Sequence, residues 1–488
     1  MTSPTRSRSL RSSSARALKA RFAAAFFALG CLNNIIYVVI LSAALDLVDK
    51  ASTPKGLILF VNIAPALLVK IGWPYFVPGP TRYGTRVGWC SGLSFFGILI
   101  VALSPTLTFR LLGIALASFS SGLGEMTYLQ RATLYGSLSP SSFGAEEDGG
   151  DLGGVAVGWF ASGTGAAGVG GAGLWWLVRG LGVRRGVGVC AVLPLCMSLA
   201  YFLLLPPLSA FSPSSPFLST SQSGYSPLAA DGDASDSDGE DEGADATVAV
   251  EEAALRRAAE KAALPSLTTQ EKVELARPLV RRFMLPLFFV YLAEYTINSG
   301  VAPTLLYEVP TRESAPVLHL AIKNLRDYYP LWQLLYQTFV FISRSSLSIL
   351  HLPPLPLSLL PLPTLLQLCI LFLTLLESST SLFVSLAGEH GATYLVALLI
   401  CAEGLCGGGA YVNAFHRLAV MQHDEEEEEG LGGGKSAERR KQEKEFRVAS
   451  VGFADTLGIL LASLVSSALE PALCAGQVAR RRMYCKEL

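Results

Sequence analysis

The sequence predicts an all-α polytopic membrane protein. It calls for about eleven transmembrane helices, six on one side and five on the other of a disordered acidic linker. Three observations predict this. Of 488 residues 51% are hydrophobic and 16% charged, where a soluble domain carries about 25% charged residues. The apolar residues are gathered into runs long enough to cross a bilayer, about 20 residues each. Inside those runs sit Asn33, Asn34, Glu125, Glu294, Asn298, Glu403 and Asn413, and polar groups in hydrocarbon usually face a bundle interior or a watery path.

The elements follow in chain order. Arg6, Arg8, Arg11, Arg16, Lys19 and Arg21 make residues 1–21 a basic tail. The apolar run behind it, 22–48, is too long for the core of a signal peptide. It reads as an uncleaved first helix, with its basic side cytosolic. Further spans are expected at 56–77, 87–104, 107–137, 152–178 and 186–207, which completes an N-terminal half, 22–207. Residues 208–278 are Ser/Pro-rich at first and acidic over Asp231–Glu252, a composition that cannot bury enough apolar surface to fold. Five more spans, at 279–308, 328–350, 363–386, 391–416 and 447–473, make the C-terminal half, 279–473. Pro65, Pro74 and the run Pro353–Pro363 interrupt the second, eighth and ninth spans. Within the second half, 420–446 is expected to be a second disordered loop, and 474–488 a C-terminal tail.

Two helical halves joined by a linker suggest a parallel internal repeat of the major-facilitator kind. In that architecture the first helix of each three-helix unit lines a central cavity: here spans one, four, seven and ten. Those four hold the polar residues, and spans two, three, six and nine are blander. Gly122, Glu125 and Tyr128 recur at three-residue steps on one face of span four. Glu125 suits a proton site or cation ligand there; the alternative is a structural carboxylate paired with Arg131 or another buried base. Glu294 and Asn298, four apart, share a face of span seven. They suit proton exchange, or a hydrogen bond between helices. Arg344 ends span eight, either clamping an anionic group or resting at the membrane interface. Glycines from Gly153 to Gly173, with Gly154-x-x-x-Gly158, predict close helix packing. Gly407–Gly409 beside Tyr411 and Asn413 reads as a hinge or as tight packing.

Other chemistry is not expected. The nine cysteines have no zinc or disulfide spacing and the five histidines no metal spacing. Gly434-Lys-Ser436 lacks the upstream glycine and the strand of a phosphate loop. No Gly-x-Ser-x-Gly elbow occurs. The chain is therefore expected to be no enzyme and to use no cofactor or metal. The net charge of −1 and the lack of a broad basic patch speak against nucleic acid. Cys485-Lys-Glu-Leu488 has the cysteine of a prenylation box without its aliphatic residues.

Five blocks in order resemble the battenin family of lysosomal and vacuolar membrane proteins, particularly its fungal members. They are Leu29–Ala44 with Asn33-Asn34-Ile35-Ile36-Tyr37, Gly122–Leu129, Tyr291–Asn298, Tyr336-Gln337 with Ser343–Ser346, and Gly407–Asn413. The resemblance implies a facilitator-like bundle in the vacuolar membrane and a role in vacuolar transport and pH homeostasis. Basic amino acids are implicated in fungi and glycerophosphodiesters in animals. Carried over by position, it singles out Asn33, Glu125, Glu294 and Arg344. With Asn34, Tyr128, Asn298 and Asn413 these are the candidate solute and proton pathway.

The expected function is a secondary transporter in which Glu125 and Glu294 couple to protons, Asn33 and Asn298 bind solute, and Arg344 holds an anionic group or a gate. The acidic residues favour a cationic solute. The expected partners are membrane lipid, a small polar solute, protons and other vacuolar membrane proteins. The alternatives are a regulator of proteins such as the proton pump, acting through its linker, and a nucleoside-type equilibrative carrier. Eleven spans with a cytosolic N-terminus would also put Arg480–Arg482 on the luminal side, against the positive-inside rule.

Overall fold

A computed structural model of the chain describes residues 4–43, 55–76, 82–136, 152–211, 267–430 and 437–486. The core of the acidic linker, including Asp231–Glu252, lies outside them. The first half comprises α1 (Pro4–Ser42), α2 (Lys55–Phe76), α3 (Tyr83–Leu103), α4 (Leu107–Gly136) and α5 (Leu152–Val178), then a sixth span in two pieces, α6 (Gly182–Cys190) and α7 (Leu193–Leu199). In the second half, α8 (Thr269–Leu279) and α9 (Leu285–Thr296) form one column. A short α10 (Pro316–Ala321) follows, then α11 (Tyr328–Arg344), α12 (Leu362–Thr380), α13 (Leu382–Gly430) and α14 (Ala437–Ala479). The described residues thus form eleven membrane-length columns. Eight stretches of them are long and apolar enough to cross a bilayer by composition alone.

The columns that fall short have local reasons. The apolar stretch of α2 is Leu59–Trp73, and it contains Lys70. The seventh column is broken by π-turns at Val280–Met284 and Ile297–Val301. Such turns insert one residue into the α-helical ladder and often mark functional sites. This column starts at Thr269, earlier than the expected 279.

Its start is well capped. Thr268 and Glu271 form a reciprocal capping box, and Arg439 of α14 also holds the Glu271 carboxylate. The Thr268 hydroxyl, the Thr268 amide and Arg439 hold the Glu271 carboxyl down to about 2. Its contribution is complete above the ordinary glutamate pKa of about 4.3 and is lost only as pH falls through about 2.

The expected disordered loop at 420–446 is corrected. Helix α13 continues to Gly430 and α14 begins at Ala437, which leaves 431–436 outside the described residues. Glutamate, lysine and arginine are good helix formers, and the start of α14 gains tertiary partners. Tyr83 of α3 donates to the Glu445 carboxylate, and Gln130 of α4 donates to the Glu445 carbonyl at 2.8 Å.

The end of the bundle from which the linker departs is the linker end. The main core cluster joins both halves through α1, α4, α5, α9, α13 and α14. At the opposite end the basic tail is absorbed into the fold. Arg480 donates to the Ser378 carbonyl, and Arg482 donates to the Leu306 carbonyl and pairs with Glu389 at 3.3 Å. The Arg482 guanidinium also lies over the Tyr307 and Tyr484 rings.

Candidate functional site

Between the halves lies a cavity of about 100 Å³. Eight columns line it, four from each half. Asn34 and Tyr37 come from α1, Asn62 and Lys70 from α2, Ser121 and Glu125 from α4, and Thr164 and Gly168 from α5. Across from them stand Tyr291 and Tyr295 of α9, Tyr336, Gln337 and Arg344 of α11, Tyr411 of α13, and Asp455 and Thr456 of α14. Spans one, four, seven and ten line it as expected, and so do two, five, eight and eleven. The third, sixth and ninth columns stay outside.

The expectation that α2 is bland is corrected. Lys70, only 4% exposed, lies 2.9 Å from Glu125 Oε2 and 3.2 Å from Asp455 Oδ1, and it donates to Thr456 Oγ1 at 2.7 Å. Tyr411 donates to the other Glu125 oxygen at 2.8 Å. One ammonium group thus joins both halves of the bundle. Glu125 pairs with Lys70 rather than with Arg131, whose guanidinium lies over the Tyr83 and Tyr135 rings. Lys70 and Asp455 were open to sequence reasoning, since each is a charged residue inside an apolar run.

Arg344 faces the same cavity from α11. It donates to Tyr291 Oη at 2.9 Å and to Thr164 Oγ1 at 2.6 Å, and its guanidinium lies 4.5 Å from the centre of the Tyr411 ring. Its Nε, buried, has no hydrogen-bond partner among the described residues. The interface alternative for Arg344 is therefore corrected: it lies between the halves. The expected acidic bias is corrected too, because the lining holds Lys70 and Arg344 beside Glu125 and Asp455.

A second polar layer lies behind the cavity wall in the C-terminal half. Tyr336 donates to Glu294 Oε1, and Asn298 donates to Glu403 Oε1 at 3.0 Å. Asn33 sits beside the cavity at the α1–α4 contact, where its amide donates to the Ser121 carbonyl at 3.1 Å.

Of the eight residues expected in the pathway, Asn34, Glu125 and Arg344 line the cavity; besides Asn33, Glu294 and Asn298, which lie next to it, Tyr128 and Asn413 are placed elsewhere. Tyr128 packs in the core against Phe160. Asn413 accepts from the Leu355 amide at 2.7 Å and donates to the Gly409 carbonyl at 2.8 Å. It therefore pins the proline-rich connection between α11 and α12, with Arg417 donating to the Pro354 and Leu355 carbonyls. A segment short of backbone N–H groups needs such side-chain partners.

The family model described as CLN3 protein matches residues 24–476. The chain belongs to this CLN3, or battenin, family. Curated relatives agree. Protein BTN1 of Cryptococcus neoformans var. neoformans serotype D (strain B-3501A) is 45% identical, covering 96% of this chain and 96% of its own. Protein BTN1 of Mycosarcoma maydis is 43% identical, over 96% and 89% of the two chains. Protein btn1 of Schizosaccharomyces pombe is 32% identical, over 96% and 97%. Among solved structures, the human organic anion transporter MFSD10 (TETRAN) superposes with a TM-score of 0.51 at 12% identity, covering 96% of this chain and 97% of that one. A POT family transporter in complex with 5-aminolevulinic acid gives 0.52 at 12% identity, over 95% and 94%. At that identity the likeness concerns the fold. This battenin-family chain is a multi-pass membrane protein with the fold of major-facilitator transporters.

Proposed function

We propose that the protein is a secondary transporter of a small polar solute in the vacuolar, lysosome-like membrane, serving vacuolar transport and pH homeostasis. One observation supports this above the others: a polar cavity between the halves, lined by four columns from each and holding two cations and two carboxylates. A charged interior of this kind is costly in a membrane and usually marks a solute pathway.

The lining suits a solute with both an anionic and a cationic group. Arg344 offers a guanidinium engaged by hydroxyls rather than by a carboxylate, the geometry that matches phosphate or carboxylate. Tyr37, Tyr291, Tyr295, Tyr336 and Tyr411 give the wall an aromatic character, which attracts ammonium and guanidinium groups. Arginine and glycerophosphocholine each meet this description.

The test is uptake and efflux by purified protein in proteoliposomes, comparing labelled arginine with glycerophosphocholine, with and without a pH gradient. Saturable flux of either establishes transport and selects the solute class. No flux of either from folded protein removes the support for this reading and favours the regulator.

A further inference from the structure

We infer that Glu403 and Glu294 form a buried carboxylate pair that binds the coupling proton of this transporter, at a site separate from the solute cavity. Glu403 lies on α13 and is 0% exposed; Glu294 lies on α9 and is 1% exposed. Each has one oxygen, Oε2, with no hydrogen-bond partner among the described residues. Their other oxygens are held by neutral groups, the Asn298 amide for Glu403 and the Tyr336 hydroxyl for Glu294. Neither forms a salt bridge with a Lys, Arg or His among the described residues. A carboxylate so placed is strongly disfavoured in its ionised form, and the field of Glu294 at Glu403 adds to this.

The surroundings are built around the pair. Gln333 donates to Asn298 Oδ1 at 2.9 Å, which orients the Asn298 NH₂ group toward Glu403 and the Glu294 carbonyl. Asn298 itself sits in the π-turn Ile297–Val301. At Gly407 any Cβ would collide with the Glu294 carboxylate, so glycine lets that group lie against α13.

The ionisable groups around the pair are Tyr336 of α11, Tyr37 of α1, Tyr291 and Tyr295 on α9, Cys406 on α13 and Arg344 of α11. Arg344 is the cation whose field reaches Glu294, while its own hydrogen bonds go to Tyr291 and Thr164. From α12, Ile370 and Leu371 pack with Ile297 and Cys406, and Gln367 is a buried polar residue on the same helix. A proton fits better than a metal cation, because no group of three His, Cys, Asp or Glu converges among the described residues. Tyr336 lines the cavity and touches Glu294, so a proton can pass from the cavity to Glu294 and then share the pair. Protonation is the whole of the chemistry; no other bond forms or breaks.

Coupling rests on the transporter reading, whereas proton occupancy of the pair does not, and two measurements keep them apart. The first is flux in proteoliposomes for wild type and Glu403→Gln. One pH unit can drive a one-to-one coupled solute about tenfold uphill. Glu403→Gln should lose that accumulation and keep solute-for-solute exchange. The second is difference infrared spectroscopy of purified protein across a pH titration, in which Glu403→Gln should remove a protonated-carboxyl band.

Glutamine is isosteric with the neutral acid, so Glu403→Gln should melt within a few degrees of wild type. Should it fail to fold, the infrared titration of wild-type protein decides: absence of any protonated-carboxyl band would overturn the inference. Retained gradient-driven accumulation, an unchanged infrared band, or accumulation driven by sodium in place of protons would each overturn it. Absence of any wild-type flux would overturn the transporter reading alone, with the infrared band still deciding whether the pair holds a proton.

Discussion

Lys70 shows what a single charge does at the centre of this bundle. It contacts Glu125 of its own half at 2.9 Å and Asp455 of the other at 3.2 Å. Removing one partner of a buried ion pair leaves the others uncompensated, at a cost of roughly 3–5 kcal/mol. Lys70→Met should therefore lower the melting temperature in detergent clearly. The double substitution Lys70→Met with Asp455→Asn should recover much of that loss, because it removes two opposite charges together. Equal melting temperatures for the two variants would show that the lysine is not coupled to Asp455. At this scale the sequence was legible as chemistry but not as partnership. Glu125, Glu294 and Arg344 stand out as charges in apolar runs, yet the same rule marks Asn413, which the fold uses to pin a loop.

At the scale of elements, close packing depends on where a glycine meets a neighbouring backbone. A Cβ at Gly163 of α5 would run into the Phe27 carbonyl of α1, and one at Gly30 of α1 into the Phe160 carbonyl of α5. These two helices therefore touch backbone to backbone. Gly158 of the expected Gly154-x-x-x-Gly158 spacing is not such a position, since a Cβ there would meet nothing nearer than Ser348 at 3.6 Å. Gly163→Val should force α1 and α5 apart and destabilise by about 1–3 kcal/mol, visible as a smaller monodisperse fraction on size-exclusion chromatography. Gly158→Ala should leave that fraction unchanged. A glycine-dense run is readable from sequence; which glycine faces a neighbour depends on the crossing point of two helices far apart in the chain.

At the scale of the whole molecule, the halves are joined at the linker end. Ser162 of α5 and Ser348, just past α11, share a hydrogen bond there, and Tyr83 and Gln130 both reach Glu445. Alternating access requires such contacts to separate during each cycle. The built Cβ of Gly158 lies 3.6 Å from that of Ser348, inside the usual range for a disulfide of about 3.5–4.5 Å. The pair Gly158→Cys with Ser348→Cys should therefore oxidise readily, hold the linker end closed, and stop transport until a reductant is added. Undiminished flux with the cross-link formed would show that this contact need not open.

The amino-acid sequence by itself determined the class of molecule. Hydrophobic runs of bilayer length require helices, because backbone polar groups in lipid must be satisfied within the segment. Charged residues inside those runs announce a polar interior, and the order of the blocks announces the family. Only the tertiary structure decided which charges meet. Lys70 and Asp455 are separated by 385 positions in the chain, and no local pattern links them. Their contact, the placing of Arg344 among hydroxyls, and the leaving of Glu294 and Glu403 without a counter-ion all follow from how eleven helices cross. Crossing is set by side-chain packing summed over both halves, which periodicity along one helix does not encode.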